Sequence, residues 1–333
     1  MEAPVPLEAP PCPLCGGEAY TTVMTGARDA IWRKPGVFQL QRCDGCGLVA
    51  TRPRPKPEAL SFYYEGTYSG EGQEGMRRFQ TESGLGKWIS RYRLRVLQKA
   101  QRLGATDRLL DVGCSYGGFL RVAREDTGCA TAGVDMDAGS IEQAVDREVT
   151  EYRAGRLVDV GFEAGRFTAI TFFESLEHHD APIEALREAH RLLAPGGVVV
   201  VEVPNWAGLW RRVFRTAWLP LLIPQHLFHF TPETLAKALR AAGFTRIEHQ
   251  QTMFYPLEGV ASLGIWLARV LRSPPPGSRF TWRTPIDIAL FLMLAALWVV
   301  FEVPSQAVLQ LMGKTGHQLA VARKGQGESE TVA

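Results

Sequence analysis

Leu109-Leu110-Asp111-Val112-Gly113-Cys114-Ser115-Tyr116-Gly117-Gly118 is the stretch that decides the fold of this 333-residue chain. Arg108–Val112 is a short apolar run that predicts a strand ending on an acid. Gly113 and Gly117 then let the backbone turn sharply and approach a ligand without a Cβ clash. A helix follows, and its first N–H groups are free to meet the polar end of that ligand. Working outward, Thr131–Val134 predicts a second strand ended by Asp135, about 20 residues after Gly113, where an acid meets ribose hydroxyls in nucleotide folds. Phe167–Phe173 reads as another strand. Pro182–Leu193 reads as a helix, with Asp180 ahead of it and Pro195-Gly196-Gly197 behind. Val198–Val203 is a β-branched run interrupted only by Glu202, as expected of a strand covered on both faces. Thr231-Pro232 starts a helix that Gly243 ends. Strands alternating with helices imply a parallel, doubly wound α/β sheet.

Taken alone, the glycine loop also suits a plain turn between strand and helix. A dinucleotide site would want G-x-G-x-x-G, which Gly113-x-x-x-Gly117-Gly118 does not supply. Together the blocks resemble class I S-adenosylmethionine-dependent methyltransferases. Leu109–Phe119 resembles their first motif and Gly-Val-Asp135 their second. Phe167-Thr-Ala-Ile170 with Leu176-Glu177-His178 resembles their fourth-strand block, and Leu192–Gly197 the block before strand five. Gln225–Pro232 is similar to a segment of the branch holding ubiquinone-pathway and sugar C-methyltransferases. The resemblance covers about residues 107–255. It implies a Rossmann-like seven-stranded sheet, with S-adenosyl-L-methionine held by Asp111, Gly113, Cys114, Ser115, Gly117, Asp135, Met136 and Glu174. Two positions depart from the pattern. Ser115 stands where the middle glycine is usual, which predicts a slightly wider loop, and Thr168 stands where an aspartate is usual.

Five of the seven histidines fall where the carboxyl edge of the sheet is expected: His178, His179, His190, His226 and His229. His190 reads as a helix-surface residue. Ligands bind outside the carboxyl ends of the strands in such sheets, and imidazole suits proton removal near neutral pH. The resemblance implies His226 as base, with His178 and His229 as further catalytic candidates. The plain alternative is that these rings hydrogen-bond loop backbone.

Cys12-Pro-Leu-Cys15 and Cys43-Asp-Gly-Cys46 are two knuckles of a zinc ribbon. All four corners are thiolates, so the expected Zn2+ is structural. The ribbon expected there is too small to bury a core of its own. Such segments precede the core in sugar C-methyltransferases, which points to a sugar nucleotide. The C-terminal part, however, lacks likeness to the extra domain of that group.

The composition, 46% hydrophobic and 22% charged, suits a globular protein with an ordinary core, and a formal charge of +2 gives no sign of nucleic-acid binding. The start of the chain, Pro-rich and acidic, does not read as a signal peptide. We expect residues 1–57 to form the ribbon and a Pro-rich linker, and 58–105 a loop and helical cap, with 66–86 a mobile loop. Residues 106–255 and 312–324 are expected to form the methyltransferase core, and 256–311 an apolar helical insertion between strand six (Phe244–Met253) and strand seven (His317–Ala322). Ile288–Phe301 is an unbroken apolar run, shorter than the roughly 20 residues a spanning helix needs. Trp206–Ile223 mixes tryptophans with arginines. Residues 206–223 and 257–311 thus read as a lid, a dimer contact or a peripheral membrane contact. The chain is expected in the cytoplasm, with the inner membrane face as the further location. Oligomeric state is open. The expected reaction is methyl transfer to oxygen or carbon of a small-molecule, sugar or lipid-linked acceptor. The non-enzymatic alternative is a cofactor-binding scaffold or sensor.

Overall fold

The computed structural model describes residues 4–64, 70–250, 258–271 and 285–326. Its strands in chain order are β1 (Leu7–Glu8), β2 (Tyr20–Ala27), β3 (Phe38–Cys43), β4 (Val49–Thr51), β5 (Arg54–Pro55), β6 (Arg108–Val112) and β7 (Ala130–Asp135). They continue as β8 (Thr150–Ala154), β9 (Phe167–Phe173), β10 (Leu193–Pro204), β11 (Phe228–His229), β12 (Arg246–Gln250) and β13 (His317–Arg323). The chain divides into two compact units. The first takes in Met1–Tyr63, Val203–Leu235 and Gln250–Gln318, and the second Tyr64–Glu202, Ala236–His249 and Leu319–Ala333.

The second unit carries the seven-stranded sheet, in the order β12-β13-β10-β9-β6-β7-β8. β10, β9, β6, β7 and β8 pair in parallel. β13 runs the other way beside β10: Lys324 N donates to Gly197 O near the start of β10, and Asn205 N, just past its end, donates to Gly316 O ahead of β13. Valines 198–201 and 203 are fully buried, as parallel strands covered on both faces require. Leu109, Leu120, Ala169, Val198, Val200 and Leu319 build the core with Leu94 and Leu97 of the helix Gly84–Ala100.

That helix starts where Ser83 accepts from Gly86 N. Before it, Gly70–Thr81 is a helix, not the loop its glycines suggested. Glu74 bridges Arg77 and Arg78 one turn on, and such pairs offset part of the helical cost of glycine. Residues 65–69 and 251–257 and the Ser273–Gly277 interruption lie outside the described residues.

In the first unit, β2, β3, β4 and β11 form an antiparallel sheet in the order β11-β4-β3-β2. Within the proline stretch 51–57 the chain bends at Arg52–Pro53, and Arg54–Pro55 (β5) pairs with β1. Phe38, Leu40 and Val49 from this sheet share one core with Trp206, Trp210, Phe214, Trp218, Leu221 and Ile223, and with Leu309. The tryptophans of 206–223 are therefore core residues of this unit, buried where a membrane cannot reach them. Leu209, Arg212, Val213 and Arg215 are what the segment leaves on the surface. The helices Glu258–Leu271 and Pro285–Leu311 complete the unit.

Candidate functional site

The glycine loop leaves β6 through a succession of left-handed residues: Gly113 at φ 81°, Ser115 at φ 48° and Gly117 at φ 76°. Gly113 and Cys114 both donate to Val134 O, which binds the loop to β7. A side chain at Gly113 would meet Ser175 Cβ at 2.5 Å. One at Gly117 would run into the phenol oxygen of Tyr152, which is itself held by Val145 O at 2.9 Å. These glycines are thus demanded by the packing of the protein as well as by any ligand. Ser115 takes up the left-handed conformation that favours glycine. A non-glycine residue in this region costs about 1–2 kcal/mol. Its Oγ is buried and finds no hydrogen-bond partner among the described residues.

Asp111, one residue before the end of β6, stands in register with Thr171 of β9, whose hydroxyl donates to Asp111 Oδ1 at 2.6 Å. Burial pushes this carboxyl up to about 7, with Asp135 adding to the effect and Thr171 and Arg93 opposing it. Arg93 pairs with buried Glu202 at the end of β10, Nε to Oε2 2.7 Å, and lies over the Phe173 ring. Asp135 ends β7. Its Oδ2 accepts from Ser115 N at 2.8 Å and its Oδ1 from Asp137 N at 2.9 Å, while burial raises its pKa. Met136, the next residue, is exposed. Glu174, at the end of β9, is a left-handed residue at φ 54° whose N–H donates to Glu202 O. Cys114 is buried, and its Sγ occupies the space that a side chain on Gly133 would need. Burial keeps that thiol protonated.

Asp111, Gly113, Ser115, Gly117, Asp135 and Glu174 therefore gather at the carboxyl ends of neighbouring strands in one unit. Acidic groups, N–H groups and an orphaned hydroxyl around a glycine turn fit the ammonium, carboxylate and ribose of a nucleoside amino acid.

The histidines divide between the units. His178 follows β9, and its Nδ1 lies 2.7 Å from Tyr64 Oη. His179 is buried against Phe172, and burial lowers it to about 4. His190 does not lie open on its helix: it packs edge-on against Phe244 and covers Gly243. His226 and His229 belong to the first unit, their ring centroids 6.5 Å apart. His226 is buried with Nδ1 2.9 Å from Pro220 O, which places the proton on Nδ1 and the lone pair on Nε2. His229 sits in β11, with Nε2 3.3 Å from Thr51 Oγ1 and the ring against Trp206. Burial, aided by Arg211, drives His229 down to about 3, so it stays neutral at any working pH. Tyr64, Thr171 and Arg93 were missed by sequence reading. Thr171, a polar residue within an otherwise buried apolar strand, was the only one to leave a mark in the pattern.

The cysteine pairs form a second constellation, wholly within the first unit. Gly16 N donates to Cys12 O and Gly47 N to Cys43 O, so the two knuckles close identically. Gly16 at φ 71° and Gly47 at φ 86° supply the left-handed step. Cys12 and Cys46 sulfurs are 3.5 Å apart, as are those of Cys15 and Cys43, and all four lie within 4.8 Å of one another. Tetrahedral zinc with Zn–S of about 2.3 Å needs sulfurs about 3.8 Å apart. Burial raises the Cys12 thiol, the adverse setting that a bound cation relieves.

A methyltransferase-domain family model matches residues 82–249, about half of the chain. The ubiquinone biosynthesis O-methyltransferase of Pseudomonas aeruginosa strain LESB58 is 33% identical over 119 residues, covering 34% of this chain and 51% of that protein. Its namesake from Xanthomonas axonopodis pv. citri strain 306 is 31% identical over 163 residues, covering 44% and 66%. The matched stretch thus spans about half to two thirds of these curated relatives. Among solved structures, phosphoethanolamine N-methyltransferase 2 of Haemonchus contortus, in complex with S-adenosyl-L-methionine, superposes at TM-score 0.53 with 16% identity, covering 92% of this chain and 69% of that one. A putative methyltransferase bound to the Haloferax volcanii Trm112 activator gives 0.51 and 16%, covering 78% and 96%. At these identities the structures speak for the fold alone. The strand order with β13 reversed between β10 and β12, the glycine loop and the match over residues 82–249 agree: the chain belongs to the class I S-adenosylmethionine-dependent methyltransferases.

Proposed function

We propose that this chain transfers the methyl group of S-adenosylmethionine to oxygen, or alternatively carbon, of a small-molecule acceptor. The observation that carries the reading is the loop of left-handed residues at 113, 115 and 117, pinned to Asp135 through the Ser115 N–H. The O-methyltransferase relatives favour oxygen, and a phenolic hydroxyl of a quinone precursor is the first acceptor to try. Sugar-nucleotide and lipid-linked acceptors remain in the set. Bound S-adenosylmethionine supplies a methyl group already activated as a sulfonium, so the protein's work is chiefly positioning and proton removal. Asp111, Gly113, Ser115 and Gly117 are assigned to the amino-acid end, with Cys114 packed beneath. Asp135 is assigned to the ribose, and Met136 and Glu174 to the flanks. Cys12, Cys15, Cys43 and Cys46 are assigned to a structural zinc.

His226 is the proposed base: the Pro220 carbonyl holds its proton on Nδ1 and leaves Nε2 to take the proton of the acceptor hydroxyl. His178, polarised by Tyr64, is the second candidate. His229, neutral and built into a sheet, is assigned to structure. His226→Ala is expected to lower methyl transfer by about 10²–10⁴-fold while S-adenosylhomocysteine binds as before. Full turnover would remove the assignment. A mere cofactor-binding scaffold would instead bind S-adenosylhomocysteine and methylate no acceptor, with either residue at position 226.

Asp111 makes a pH-dependence expected. A carboxyl near 7 is partly neutral at neutral pH, and a cationic ligand beside it favours the charged form. Affinity for S-adenosylmethionine, measured calorimetrically, should therefore rise with pH through about 6 to 8 and then level off. Asp111→Asn should flatten the rise. The ligand-free chain behaves oppositely. A raised carboxyl contributes stability below its unfolded value of about 3.9, and that contribution is lost as pH climbs through 7. An affinity independent of pH in the unsubstituted chain would refute this account of Asp111.

A further inference from the structure

The helix Pro285–Leu311 is turned inside out. Met293, Ala296, Val300, Pro304, Ala307 and Leu311 recur at spacings of three and four, so they share one face, and all are exposed. Val300 is 76% exposed and Leu311 90%. Two polar side chains of the same helix, Glu302 and Gln306, point inward. Glu302 is fully buried and accepts from Gly259 N at 2.9 Å, and Gln306, also buried, reaches Glu302 at 3.4 Å. A helix facing water has the reverse arrangement, polar outside and apolar inside. A stripe of this kind along a 27-residue helix, about 40 Å long, fits an apolar surrounding.

The neighbouring helices of the same unit say which. Glu258–Leu271 packs against Pro285–Leu311 and also against Leu209–Phe214. It shows an exposed Trp266. Leu209–Phe214 shows Leu209 and Val213 beside exposed Arg212, and Arg215 follows, also exposed. The acids on these helices with described side chains, Glu258 and Glu302, are buried. A second copy meeting this surface in two-fold fashion would set arginine near arginine with no acid between. An anionic lipid headgroup supplies that acid, and acyl chains accept the stripe. Among the described residues no helix is long and apolar enough to cross a membrane. An exposed apolar stripe opposite the buried Glu302 and Gln306 suits a helix lying in the plane of the surface.

We propose that the first unit seats Pro285–Leu311 in the interface of an anionic phospholipid bilayer, with Arg212 and Arg215 at the phosphates. The proposal stands apart from methyl transfer, because vesicle binding is read without any acceptor. The test is co-sedimentation of the full chain with phosphatidylcholine vesicles, with and without phosphatidylglycerol. We expect binding to both, stronger with phosphatidylglycerol. Met293→Gln, Val300→Gln and Leu311→Gln together should lower the bound fraction at least about tenfold, because each removes an exposed apolar contact. Arg212→Gln with Arg215→Gln should abolish only the preference for phosphatidylglycerol. Unchanged S-adenosylhomocysteine affinity in each variant shows that the fold is kept. Vesicle binding by the triple variant equal to that of the unsubstituted chain would overturn the proposal. So would an unsubstituted chain that ignores vesicles and forms a dimer by light scattering, which the triple variant dissolves into monomers.

Discussion

Purified Cys43→Ser chain is expected to carry no zinc, against one zinc per chain in the unsubstituted protein, and to melt at a lower temperature in the first unit. Cys43 does two things at once: its sulfur lies 3.5 Å from Cys15, and its backbone pairs with Tyr20 as the last residue of β3. Without metal, buried thiols from two knuckles would face one another with nothing to draw them together. The binding free energy of such a site, roughly 10–16 kcal/mol in isolated finger peptides, acts as folding free energy. Here the ribbon shares its core with Trp206, Trp210 and Trp218, so part of the structure survives on packing alone. If about 5 kcal/mol is lost, the midpoint falls by roughly 10–20 °C. Elemental analysis and calorimetry with and without a chelator read both effects. Equal melting of the two proteins, or an unsubstituted chain without stoichiometric zinc, would show that the cysteines fold the ribbon unaided.

Gly117→Ala is the second large effect. The new methyl group would have to displace the phenol of Tyr152, and the residue would keep a left-handed backbone. Overpacking and left-handed strain together suggest about 3 kcal/mol. Urea unfolding should show that loss, and S-adenosylhomocysteine affinity should fall with it, because the loop cannot hold both Tyr152 and its own turn. Tyr152→Phe in the same chain removes the nearest atom and should restore part of the stability. It also gives up the bond to Val145 O, so recovery is incomplete. Normal stability in Gly117→Ala would mean that the glycine serves the ligand only.

The sheet was legible because its strands announce themselves chemically. Val198–Val203 is buried on both faces and reads as an apolar run broken only by Glu202, and a carboxylate stands at the end of β7 and one residue before the end of β6, where the pattern broke. The cysteine knuckles were legible because their spacing is local. What escaped was long-range or cancelled. Phe228 and His229 pair with Ala50 and Val49, and two residues are too few to show a period. That pairing takes His229 into a neutral, buried setting that its position along the chain does not reveal. Gly70, Gly72 and Gly75 hid a helix whose support comes from Glu74, Arg77 and Arg78. Ile288–Phe301 is apolar all round, so the sequence gives no face. Only the burial of Glu302 and Gln306 shows which way the helix turns.

The pairing of β11 with β4 also orders events during synthesis. When the first 57 residues leave the ribosome, the sulfurs needed for a metal are all present, but β4 has one open edge. Its partner is made well over a hundred residues later, and until then the nascent chain carries an unpaired strand able to recruit another one. Early metal capture would hold the rest of the ribbon ready while that edge waits. A fragment ending near Pro57 would keep the edge open for good, and should self-associate as concentration rises.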